Sequence, residues 1–209
     1  EGLIEEKEDE ASGALPLEDA TGAFVVRQIG NRYILVQSDD GIFLVHQYRA
    51  HARVLFEAFE ESVMDSDRPV QQLLFPHQLN LSNQDAALLS TAMEPLNHIG
   101  FEISPFGQND FIIQGIPAAC PNLNVENCMA GFIDDLRENK PGGAVQLQQQ
   151  VIKSMAQQAA IRSGQQMKAQ EMIALFQALM QCKMPQVDLN GKQTFVLLNT
   201  GNLDKLFSA

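Results

Sequence analysis

Two breaks constrain this chain more than any other feature. Asp65-Ser66-Asp67-Arg68-Pro69 and Lys140-Pro141-Gly142-Gly143 each interrupt an apolar pattern with residues that no helix or central strand carries through. They leave three stretches of different character. In the first, Phe24–Val26, Tyr33–Val36 and Ile42–Val45 are β-branched and aromatic runs, and Ser38-Asp39-Asp40-Gly41 supplies a turn before the third, so a hairpin or meander is expected. From Gln47 the period changes. Ala50, Val54, Leu55, Ala58, Phe59 and Val63 recur at three and four, which predicts an amphipathic helix to about Met64.

The second stretch opens with Gln71-Gln72-Leu73-Leu74-Phe75-Pro76, an apolar strip between prolines that reads as an edge strand or an extended peptide. Ser82 is suited to cap a helix running to about His98, with Gly100 as its stop. Phe101–Ile103 and Phe111–Ile113 then pair across Pro105–Asn109, and a helix follows over Val125–Glu138. The third stretch predicts helices over about Leu147–Ser163 and Lys168–Cys182, a strand at Thr194–Leu198 and a short terminal helix from Thr200. Strands and helices in this order define an α+β chain.

Charge narrows the function. The chain of 209 residues carries a formal net charge of −12, so autonomous, non-specific binding of DNA phosphates is disfavoured and DNA contact is expected to be weak. Much of the acid lies in residues 1–22, which read as a mobile acidic linker. Glu1 is not an initiator Met, and the chain looks cut from something longer. No apolar run is long enough to span a membrane. Cys120, Cys128 and Cys182 are odd in number and lack a C-x-x-C spacing, which argues against a disulfide framework or thiolate zinc site and for a reducing, cytoplasmic setting. No nucleophile–base arrangement and no Gly-rich phosphate cradle stands out.

The segments Gly30-Asn31-Arg32-Tyr33-Ile34-Leu35 and Gly41–Glu57, with Ala159-Ala160-Ile161-Arg162-Ser163-Gly164, Asn190–Phe195 and Leu203-Asp204-Lys205-Leu206-Phe207, resemble the C-terminal domain of the MutL family of DNA mismatch-repair proteins. The resemblance runs from about Gly22 to Phe207. It implies a two-subdomain fold: a dimerisation subdomain from residues 23–65 and 144–209, split by an inserted regulatory α/β subdomain from 66–143. It further implies homodimerisation, contacts with MutS and the replication sliding clamp, and an ATPase domain elsewhere in the full-length protein.

Many members of that family are metal-dependent endonucleases. Their helix opens Asp-Gln-His-Ala, then two free positions, Glu, four free positions, Glu. Here the Asp position is His46, Gln47 is retained, the His position is Tyr48, the Ala position is Arg49, the first Glu is Ala52, and only Glu57 keeps the second Glu. Gln157 and Gln158 stand where a Cys and a His are expected. Asp188-Leu189-Asn190-Gly191-Lys192-Gln193 replaces the Cys-Pro-His-Gly-Arg-Pro loop. The expectation is therefore no catalytic residues, no metal and no cofactor in this chain. The alternative is a divergent DNA-nicking endonuclease with His46, His51, Glu57 and Asp188 as a rearranged ligand set, although a five-residue spacing suits one helical face poorly.

The resemblance also implies that Gln71, Gln72, Leu74, Phe75 and Pro76 form the family's Gln-x-x-Leu-x-Pro peptide for docking into the sliding clamp. The competing reading is an ordinary strand with Leu73 and Phe75 in the core.

Overall fold

The computed structural model describes residues 17–18, 25–38, 41–64, 69–139, 143–199, 201 and 204–205. Among these residues two antiparallel sheets and five named helices are laid out in order. Strands β1 (Leu17–Glu18), β2 (Val25–Ile29), β3 (Tyr33–Ser38) and β4 (Gly41–His46) form a meander, and β4 runs straight into α1 (Gln47–Met64). Next come β5 (Val70–Asn80), α2 (Asn83–His98), β6 (Glu102–Pro105), β7 (Asp110–Pro117) and α3 (Val125–Glu138). The chain then returns through α4 (Ala144–Ala159), α5 (Ala169–Gln181) and β8 (Phe195–Leu198), which pairs with β4. Sheet order is β1-β2-β3-β4-β8 in the first sheet and β5-β7-β6 in the second.

The local signals act as expected at several boundaries. The Ser82 hydroxyl accepts from the Asp85 N–H at 3.2 Å, the Asn124 carboxamide accepts from the Asn127 N–H at 2.9 Å, and Gly100 ends α2 with φ +98°. Others moved. Helix α4 starts at Ala144 and stops at Ala159, against the expected Leu147–Ser163, because Gly143 offers no side-chain cap to mark the start and the residues after Ala159 bond elsewhere. Strand β5 extends past Pro76 to Asn80. Within residues 1–22, Leu17–Glu18 pair with Val25 and Val26, so the expected mobile linker has a point of attachment there; its remaining residues lie outside the described ones. Of the expected terminal helix, Gly201, Asp204 and Lys205 are helical and its other residues are not described.

Two buried clusters hold the fold. The smaller joins Val26, Ile34, Val36 and Val45 of the first sheet to Met172, Leu175, Phe176 and Leu179 of α5. The larger joins the second sheet, α2 and α3 to one face of α1 (Ala52, Leu55, Phe59) and to Val151, Ile152, Met155 and Ala156 of α4. Helix α4 packs on α1, α2 and α3, so the larger core crosses both sequence breaks. Residues paired across antiparallel strands share a face. One face of the first sheet, with Val26, Val36 and Phe43, is covered by α5. The other carries Leu35, Leu44 and Val196 in one row and Ile42 and Leu198 in the next, and none of these belongs to either cluster.

Candidate functional site

Two places bear on function: the start of α1, where the endonuclease pattern would fall, and the irregular edge strand β5.

At the α1 start, Gln47 is completely buried, and its amide is fully used. Its Oε1 accepts from Gln28 Nε2 at 2.6 Å, while its own Nε2 donates to the carbonyls of Arg162 (3.2 Å) and Gln165 (3.1 Å). The Gln47 N–H donates to the Arg32 carbonyl at 3.0 Å, and the Gly164 N–H to the Asn31 carbonyl at 2.8 Å. Three segments distant in sequence are thereby fastened together: the β2–β3 turn, the first turn of α1 and the α4–α5 connector.

His46 is buried beside them, its ring edge-on to Tyr33 with centroids 5.4 Å apart. Its Nδ1 stands 3.5 Å from the Arg49 N–H, the position of a helix-capping acceptor. Burial, followed by the Arg49 and Arg32 guanidinium groups, holds its pKa below the ordinary histidine value. His51, five residues on, points elsewhere: its Nδ1 accepts from the Ile161 N–H at 2.9 Å, and burial lowers its pKa to about 4. Tyr48 is half-buried with Arg162 over its ring at 6.0 Å, and Ala52 is in the core.

The remaining carboxylates are occupied by backbone. Glu57 accepts from the N–H groups of Lys183 (2.6 Å) and Met184 (3.2 Å) just beyond α5. Asp188 Oδ1 accepts from the N–H groups of Asn190 and Lys192, both at 2.8 Å, and its Oδ2 lies 3.7 Å from Arg49 Nε. Arg53, buried between them, donates to the carbonyls of Val187 (2.8 Å) and Asp188 (2.9 Å). Gln158 donates to Asp135 Oδ2 and accepts from Arg162, while Gln157 lines a polar groove of about 540 Å³ with Arg53, Lys153 and Asn190. The structure thus brings His46, Arg49 and Asp188 together and places His51 and Glu57 on other partners. Among the described residues, no three His, Cys, Asp or Glu side chains converge closely enough to hold a metal ion. The three cysteines are free, and burial raises the thiols of Cys120 and Cys128 to about 12. Among the described residues no helix is long and apolar enough to cross a membrane.

Sequence reasoning missed the work done by Gln47 and Arg53. The available signal was a polar side chain in the inward-facing part of an amphipathic helix, flanked at Arg53 by the core residues Ala52 and Leu55.

Among the described residues, strand β5 pairs with β7 alone and forms an edge of the second sheet. Gln72 lies opposite Gly115 and His77 opposite Ile113, so Leu73, Leu74, Phe75 and Pro76 together oppose the single residue Gln114 and bulge from the ladder. Leu73 leans onto the larger core, whereas Leu74 is 87% and Phe75 81% exposed. Placing Phe75 in the core is therefore incorrect: the bulge turns it outward. Gln72 Nε2 donates to Glu102 Oε2 at 2.8 Å across the sheet.

Among the described residues, the chain is α+β, with an apolar face of the first sheet that no described helix covers and a bulged edge strand. The family described as the MutL C terminal dimerisation domain matches residues 26–167. The chain belongs to this family. It is 32% identical over 180 residues to the DNA mismatch repair protein MutL of Gemmatimonas aurantiaca, covering 86% of this chain and 30% of that protein. It is 28% identical to the MutL of Halalkalibacterium halodurans over 96% of this chain and 31% of that protein, and 28% identical to that of Symbiobacterium thermophilum over 98% and 35%. The chain spans about a third of the length of these relatives.

Proposed function

We propose that this chain is the homodimerising, partner-docking part of a cytoplasmic mismatch-repair MutL protein, that two copies meet through the face of the first sheet that no described helix covers, and that it does not cut DNA. The observation that carries the reading is the apolar row Leu35–Leu44–Val196 beside Ile42 and Leu198, with Ile29 46% and Val196 44% exposed on a sheet whose other face is filled by α5. A contiguous apolar surface of this kind marks an interface, and one burying roughly 1,600 Å² in total would be of ordinary size. Residues 66–143 serve in this reading as the inserted regulatory subdomain.

The exposed Leu74–Phe75 bulge supports contact with the sliding clamp: an edge peptide presents two apolar side chains while its flanks stay anchored in the ladder. MutS contact and the ATPase activity of the full-length protein follow from the family alone. Absence of cutting is supported by Arg49, a permanent cation where a divalent ion would be held, and by the backbone partners that occupy Glu57 and Asp188.

Mass in solution across dilution tests the dimer. The chain is expected at twice its 23.1 kDa at micromolar concentration, and Leu44→Glu with Val196→Glu at half that mass with its circular dichroism retained. An unaltered chain of about 23 kDa overturns the reading. Manganese-dependent nicking of supercoiled DNA, lost on Glu57→Ala, would overturn the non-nuclease part.

A further inference from the structure

Where α4 ends at Ala159, the connector to α5 takes its hydrogen bonds from Gln28, Asn31, Gln47 and His51 rather than from the loop ahead of α3. Ala159 and Ala160 on one wall and Ala174 and Ala178 of α5 on another carry only methyl groups. A cleft of about 540 Å³ is left between α1, α5, the connector and the loop ahead of α3. It shares no lining residue with the polar groove beside Arg53. Its size is that of a small-molecule site, and sites of this kind pair apolar walls with a few polar groups.

The lining carries no net charge. Arg162 and Glu171 are its charged side chains, one of each sign, and both are engaged: Arg162 Nη2 donates to Gln158 Oε1 at 2.7 Å, and Glu171 Oε2 accepts from the Lys168 N–H at 2.8 Å. Cys120 and Cys128, which also line the cleft, stay uncharged because burial raises both thiols to about 12. An ion entering here would give up hydration without gaining an unspent countercharge.

His51 is the polar group left over. Its Nδ1 accepts from the Ile161 N–H at 2.9 Å, so the proton of the neutral ring sits on Nε2. Burial, which holds the pKa at about 4, keeps the ring neutral at pH 7. Among the described residues that Nε2–H has no acceptor, although the ring lines the cleft. A shielded donor is ordinarily satisfied by some partner.

We propose that this cleft binds an uncharged small molecule with an apolar body and one acceptor oxygen, the oxygen receiving the His51 Nε2–H and the body lying against Val54, Leu123 and Leu175. Such an occupant touches α1, α5 and the loop ahead of α3 at once, and binding only the folded chain stabilises it.

The test titrates the whole chain with prodan, a neutral dimethylaminonaphthalene fluorophore bearing one ketone. Saturable binding is expected with a Kd on the order of 100 μM or tighter, together with a shift of the His51 Nε2 nitrogen resonance. The analogue with a methylene in place of the ketone is expected to bind about three- to tenfold more weakly, the value of one hydrogen bond. Ala174→Trp, at an exposed position of α5 that lines the cleft, is expected to abolish binding with circular dichroism retained. Leu44→Glu with Val196→Glu, on the first sheet, is expected to leave it unchanged. Absence of saturable binding, equal affinity for the ketone-free analogue, or binding that persists in Ala174→Trp overturns the proposal. Loss of binding in the Leu44→Glu, Val196→Glu chain also overturns it, by placing the fluorophore on the sheet face.

Discussion

Gln28 donates through Nε2 to Gln47 Oε1 at 2.6 Å, joining the second strand of the meander to the first residue of α1. Gln28 also donates to the Gln165 carbonyl, and its Oε1 accepts from the Met167 N–H, so the two carboxamides together hold both ends of the connector between α4 and α5. Gln47 is the one residue of the Asp-Gln-His-Ala opening retained here. Its partners give it a structural role that is independent of metal chemistry.

Gln47→Leu is accordingly expected to cost stability. It strands the Arg162 carbonyl and part of the bonding of Gln28 and Gln165, and each buried polar group left unpaired costs about 1–3 kcal/mol. Denaturant unfolding should show the loss, and the Gly164 and Met167 amides should exchange faster than in the unaltered chain.

Acid should weaken the fold through His51. Its folded pKa is about 4, below the ordinary value of 6.5, so the unfolded chain binds the proton more readily than the folded one. Stability from this residue is fully present above about 6.5 and is lost as pH falls from there toward 4, by up to about 3 kcal/mol. His51→Gln, which retains an acceptor for the Ile161 N–H, should flatten this part of the stability–pH curve.

Gly115 sits at the base of the β5 bulge, where an added Cβ would lie 2.5 Å from Val70 Cγ1 and 3.3 Å from the Glu102 side chain. Val70 would have to shift to make room. Gly115→Ala is expected to lower stability by about 1–3 kcal/mol and to move the amide resonances of Gln71 and Gln72, leaving those of α5 in place.

The thiols should be inert in the native state. Cys120 and Cys128 are raised to about 12 and Cys182 to about 11, each mainly by burial, so little thiolate exists at pH 8. Reaction with a chromogenic disulfide should be slow for all three cysteines and rapid after denaturation.

The readable parts of this fold were those written in local chemistry. The change of period at Gln47, the Ser82 cap, the Gly100 stop and the Phe101–Ile103/Phe111–Ile113 hairpin are each set by residues within a few positions of one another. The end of α4 was misplaced because the residues that stop it, Gln28, Asn31 and Gln47, lie more than a hundred positions away. At the site, the residues at the start of α1 could be named from the sequence, but not their partners. That Arg53 reaches the Val187 and Asp188 carbonyls could not be read, because the loop it supports is brought alongside α1 only by the return of β8 to β4. The Leu73–Pro76 bulge left no periodic signature, since strand pairing resumes at His77 on the far side of Pro76.

That bulge also bears on how the protein behaves in a crowded cell. An uninterrupted eleven-residue edge strand would offer any neighbouring chain a ladder of free amides and carbonyls, with Leu74 and Phe75 as adhesive side chains. With four residues looped out and Pro76 lacking an N–H, the outer edge of β5 is not a straight template on which a foreign strand could extend the sheet. The protein can therefore keep a sticky loop on display without becoming a seed for fibrils.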